Sequence, residues 1–129
     1  MSEIYRGKCL VHYGQVALWD REDKNSYPAT DGPLPWMGAK GICVAARNDT
    51  EVEIQVLTGE DPDDEGAHIV AEATILVGEQ GLQTGNVTTA SVVAFPWPKG
   101  EMKVTVYCNS TDKYVLDATC IWFVLEAVS

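Results

Sequence analysis

The side chains most able to do chemistry are crowded into one short stretch. Glu60, Asp61, Asp63, Asp64 and Glu65 are closed off by Gly66, and Glu72 follows. Counted from Asp61, carboxylates stand at the first, third and fifth positions, glycine at the sixth and Glu72 at the twelfth. A calcium loop spaces its ligands in that order, because hard oxygens converge on the ion while glycine permits the sharp turn. Three details weigh the other way. Pro62 takes the second position, the long Glu65 takes the fifth, and Glu72 falls inside an alternating pattern that reads as a strand. The expected state is a solvated acidic loop without metal. A calcium-dependent or general binding module, with the ion at Asp61, Asp63, Glu65 and Glu72, is the alternative.

No other set of residues suggests catalysis. His12 and His68 are the only histidines, and neither stands in a Gly-x-Ser-x-Gly or His-Glu-x-x-His context. Carboxylates on a wet loop do not become acids and bases, since that work needs burial. The glycines are scattered and build no phosphate loop. A non-enzyme with no cofactor is expected. Cys9, Cys43, Cys108 and Cys120 form no Cys-x-x-Cys pair and each lies in an apolar run. They read as free buried thiols rather than metal ligands or bridges. Asn48, Asn86 and Asn109 open Asn-x-Ser/Thr triplets that read as turn chemistry. Trp36 and Trp97 stand beside prolines, hence in loops, where a tryptophan either anchors a partner or caps a sheet end. Trp122 lies in the apolar run 120–125 and reads as core.

Charge is uneven along the chain. Between Arg47 and Lys99 there is no Lys or Arg, while Asp49, Glu51, Glu53, Glu60, Asp61, Asp63, Asp64, Glu65, Glu72 and Glu79 all fall there. The other nine acidic residues balance the nine basic ones, so this segment carries the whole net charge of −10. An acidic surface repels phosphate backbones and anionic lipid. Direct binding to nucleic acid or membrane is therefore not expected, and a basic protein partner is the natural complement. Solubility alone is the plainer use of such charge.

The elements that must position these residues are strands. Val52, Ile54 and Val56 alternate with Glu51, Glu53 and Gln55. Ile69, Ala71, Ala73, Ile75 and Val77 alternate with Glu72 and Thr74, and Met102, Val104, Val106 and Cys108 with Lys103, Thr105 and Tyr107. Period two marks half-buried strands. Less regular β-like runs cover 9–19, 41–46, 82–84, 91–95 and 114–125, with turn residues between them. The long irregular stretch 20–40 holds Pro28, Pro33, Pro35 and Trp36. Its length marks it as functional or packed across a sheet end. At 129 residues with 46% apolar side chains, the chain can bury one sizeable core. The expectation is a single domain over 1–129, an all-β antiparallel sandwich of about seven or eight strands. Val52, Ile54, Val56, Val104, Val106, Ile121 and Phe123 should face its core. No apolar run nears the roughly 20 residues of a membrane-crossing helix. The opening Met-Ser-Glu-Ile-Tyr-Arg-Gly-Lys has no export pattern, so a cytoplasmic location is expected.

Four segments carry a family resemblance. They are Val-His-Tyr-Gly-Gln-Val-Ala-Leu-Trp at 11–19, Ala-Lys-Gly-Ile-Cys-Val-Ala-Ala-Arg-Asn-Asp-Thr at 39–50, Phe-Pro-Trp-Pro-Lys-Gly-Glu-Met-Lys-Val-Thr at 95–105, and Tyr-Val-Leu-Asp-Ala at 114–118. In order and spacing they resemble the competence protein J family, inhibitors of the DNA-uptake nuclease of naturally transformable bacteria. The resemblance is weakest at 20–38 and 58–76, and no contact residue transfers by motif. It implies a nuclease inhibitor acting by protein–protein contact. Charge adds a means, since acidic side chains can occupy a basic DNA-binding cleft by imitating phosphate. Glu60, Asp61, Asp63, Asp64 and Glu65, with Trp36 and Trp97, are the candidate contact residues.

Overall fold

Alternating side chains become ten strands, with no helix among the described residues. The structure is a computed structural model and describes residues 2–12, 14–22, 35–47, 49–59, 62, 66–86, 91–109 and 118–128. The strands are β1 (Ser2–Leu10), β2 (Gln15–Asp20), β3 (Trp36–Gly38), β4 (Gly41–Ala45), β5 (Glu51–Thr58), β6 (His68–Val77), β7 (Leu82–Asn86), β8 (Ser91–Phe95), β9 (Gly100–Cys108) and β10 (Cys120–Ala127). They form two five-stranded sheets, ordered β1-β5-β10-β9-β6 and β3-β4-β2-β7-β8. Neighbouring strands are antiparallel except β5 and β10, which run parallel from Glu53 beside Cys120 to Thr58 beside Leu125.

The sheets meet on one apolar core. Val52, Ile54 and Val56 of β5, Val104 and Val106 of β9, and Ile121 and Phe123 of β10 all lie in it, as their alternation predicts. Val16, Leu18, Ile42, Val44 and Leu82 close it from the other sheet. The four cysteines are buried and free, also as expected.

Ten strands replace the seven or eight read from turn spacing, for two local reasons. The run 9–19 is not one strand. It turns at Gly14, whose φ of 64° suits glycine and whose carbonyl accepts the Ala46 N–H at 2.9 Å. His12 thus sits at a corner, 3.7 Å from the Asp49 carboxylate, rather than in a strand. The second reason is Trp36, which belongs to β3 and pairs with Cys43, not to a loop. Met37-Gly38-Ala39-Lys40-Gly41 is a hairpin turn signal that the neighbouring prolines obscure.

One further alternation ends differently from the sequence pattern. The register of β6 on β9 shifts between Ile69 and Ala71. A bulge moves side chains to the other face, so Ile69 pairs with Tyr107 and is 52% exposed instead of joining the core. Trp122 is buried, but with Leu57, Tyr107, Cys120 and Val124 in a second cluster outside the main core. Ala67, just before β6, packs against that cluster. A third cluster of Ala17, Trp19 and Cys43 lies on the other sheet, with Trp36 and Val92 against it.

Strand directions place the two segments the sequence singles out. β5 and β6 run parallel, three strand positions apart. At about 4.8 Å per strand that is about 14 Å, and the chain between Thr58 and His68 must also return to the opposite end of the sheet. β2 and β3 are likewise parallel, with β4 between them. The acidic run and the proline-rich run thus fall, in sequence, between strands that run parallel within one sheet.

Candidate functional site

The acidic candidates Glu60, Asp61, Asp63, Asp64 and Glu65 lie outside the described residues. Just before them Gly59 has a φ of 90°, and among them Pro62 is half-buried. Glu72 lies within β6, exposed and paired with Thr105. Among the described residues no three His, Cys, Asp or Glu side chains gather closely enough to hold a metal ion. The partners proposed for Glu72 in a calcium loop, Asp61, Asp63 and Glu65, are outside the description.

Two carboxylates of the first sheet, Glu53 and Glu3, have close side-chain partners. Glu53 accepts hydrogen bonds from Gln55 Nε2 at 2.9 Å and from the Cys120 thiol at 3.6 Å. Arg6 donates to Glu3 Oε1 at 2.6 Å and to Gln55 Oε1 at 3.4 Å. The hydrogen bond and charge of Glu3 raise the Arg6 pKa further. This row joins β1, β5 and β10 through polar contacts on one face.

The two tryptophans beside prolines take different places. Trp36, Cys43, Ala17, Gly85 and Val92 form one cross-strand row over the second sheet. Small side chains in the middle of that row leave Trp36 and Val92 as its raised ends, each half-buried. Trp97 is half-buried against the main core, just before β9. The structure does not bring Trp36 and Trp97 into one cluster.

A cleft of about 220 Å³ opens between the edge strands β1 and β8. Tyr5, Lys8, Cys9, Thr84 and Ser91 line it, together with Ile54, Val92 and Val93. The Cys9 thiol donates weakly to the carbonyls of Leu10 at 3.6 Å and Ser91 at 3.8 Å. Burial pushes its pKa up to about 11, partly opposed by a backbone hydrogen bond from Asn86. A thiol so placed stays protonated near neutral pH and is a poor nucleophile. His68 Nε2 lies 3.7 Å from the fully buried Cys108 sulfur.

Sequence reasoning missed one surface. Ile69 and Leu76, both more than half exposed, lie on β6 with Glu72 and Thr74 between them. Leu76 shares the parity of Glu72 and Thr74, so its outward placement was present in the pattern. That of Ile69 was not, because only the bulge produces it.

No protein-family model and no curated protein matches the sequence. Two solved structures do match in shape. The crystal structure of ComJ from Bacillus subtilis, inhibitor of the DNA-degrading activity of NucA, aligns with a TM-score of 0.77 over 98% of each chain at 14% identity. The crocagin biosynthetic gene J protein aligns with a TM-score of 0.57 over 97% of each chain at 12% identity. Conservation of architecture over the whole length, with so few identities, is a statement about fold, and the protein has a ComJ-like fold.

Proposed function

We propose that the protein is a nuclease inhibitor that blocks a basic DNA-binding cleft by protein–protein contact. The observation that carries this is the whole-length likeness to ComJ, itself an inhibitor of a DNA-degrading activity. Net charge supports it, since the −10 resides in the segment between Arg47 and Lys99. Acidic side chains there compete with phosphate for the same cationic groups, and they speed encounter with a basic partner. In this reading Glu60, Asp61, Asp63, Asp64 and Glu65 are the phosphate mimics, and Trp36 and Trp97 are the aromatic contacts. The protein acts in the cytoplasm, without catalysis of its own.

Plasmid cleavage by a nuclease encoded beside this protein's gene tests the reading. Cleavage should stop at a molar excess of the protein, and association should slow steeply with salt, because surface charge is screened within about 10 Å at 0.1 M ionic strength. Undiminished cleavage at that excess removes the proposal. Replacing Asp63 and Asp64 by Asn and Ser should slow association and flatten its salt dependence.

A further inference from the structure

β6 is an edge strand, covered on one side by β9. One bond fixes the direction of its other backbone groups. The Leu76 N–H donates to the Ala39 carbonyl at 2.9 Å, away from β9. In an antiparallel ladder alternate residues point their N–H and C=O the same way, so those of Thr74 and Glu72 also point outward. Among the described residues no hydrogen bond reaches these four groups. The side chains of Glu72, Thr74 and Leu76 share the outer face and are exposed. Leu76 at 51% and Ile69 at 52% exposure put a large apolar side chain at each end. An open edge of this kind is a template for another strand.

Its ends are closed. The bulge beside Val70 breaks the register, and Ala39 occupies the far end. What remains suits an added strand of about five residues and disfavours self-pairing along the whole of β6. Charge selects the occupant. Glu72 and Glu101, the latter opposite Leu76, are exposed carboxylates beside the open edge, with Lys103 opposite Thr74. A second copy would set −10 against −10 and bring Glu72 near its own kind. A strand with Lys or Arg opposite Glu72 and an apolar residue over Leu76 gains on both counts.

We infer that the open edge of β6 docks an extended basic strand of a partner protein, which joins the sheet beside Glu72 and Thr74. Only the partner's identity as a nuclease rests on the reading above. The probe is an end-blocked Lys-Val-Lys-Val-Lys peptide, titrated into isotope-labelled protein and followed by amide NMR. Shifts should centre on Glu72 and Thr74 and fade with salt. Thr74→Pro removes the outward N–H without breaking a β9 bond, and should weaken binding by about tenfold or more. Thr74→Val, which keeps the N–H, should bind as the parent does. Glu72→Lys should weaken binding while leaving the backbone alone, and spectra of the free variants verify that each is folded. No binding, shifts centred on β1, β3 or β8, or equal binding by folded Thr74→Pro overturns the inference. In the plasmid assay, a parent protein that inhibits while Thr74→Pro inhibits equally also overturns it, with the inhibitor reading intact. A parent that fails to inhibit sinks the inhibitor reading, and the peptide titration then decides the edge.

Discussion

The Asp20 side chain, at the end of β2, accepts the backbone N–H of Gly78, just after β6, at 3.0 Å. Asp20 is 1% exposed, so this bond ties one sheet to the other from a buried side chain. Glu22 repeats the device two residues on, accepting the Glu79 N–H at 2.8 Å. Asp20→Ala leaves the Gly78 N–H without this acceptor and should cost about 1–3 kcal/mol in urea denaturation. Asp20→Asn keeps an acceptor oxygen and should recover part of the loss. Equal midpoints for the parent and Asp20→Ala would remove the bond from any role in stability.

Gly85 is fixed by its backbone. Its φ of 135° is one that side-chain-bearing residues rarely adopt, and a Cβ there would collide with the Ser91 carbonyl of β8. Gly85→Ala should therefore destabilise by more than about 3 kcal/mol or detach β8 from β7. Amide shifts at Ser91 and Val92 distinguish the two results, and a parent-like melting curve would contradict both.

Cys9 gives the chain an alkaline limit. Its folded pKa of about 11 lies above the ordinary 9.0 because burial disfavours the thiolate. Below pH 9 the thiol is protonated in both states and its contribution is whole. Between about 9 and 11 the unfolded chain ionises first, so stability falls as pH rises. Cys9→Val should flatten that part of a stability-against-pH curve. An unchanged slope in the variant would assign the loss to other groups.

Trp97 packs on the main core, Trp36 on the outer cluster of the second sheet. Trp97→Ala should cost about 2–3 kcal/mol, less than a fully buried tryptophan. Trp36→Ala, on the three-residue edge strand β3, should cost less than that. If Trp36→Ala also inhibits a nuclease as the parent does, Trp36 is no contact residue.

Much of the core was legible because period two does not depend on topology. Val52, Ile54 and Val56 face inward whatever strand lies beside them. The parallel partnership of β5 and β10 was not legible, since alternation says which face is buried and nothing about neighbours. Ile69 was misplaced by one inserted residue at the bulge, and Trp122 was rightly read as core, though not as part of a second cluster. For the site, the pattern marked the acidic run and the tryptophans by composition. It did not mark the edge of β6, because an unpaired N–H is a property of sheet order and leaves no trace in residue types.

The parallel pair has a consequence for how the molecule assembles. β10 follows every other strand in the chain, yet it is the central strand of its sheet, inserted between β5 and β9. Without it, β1–β5 and β9–β6 are two separate ribbons with no bond between them in that sheet. Its contacts with β5 span more than sixty residues of sequence, and closing loops of that size slows folding. β10 joins the sheet at its middle, so that one strand turns two separate strand pairs into one continuous ladder.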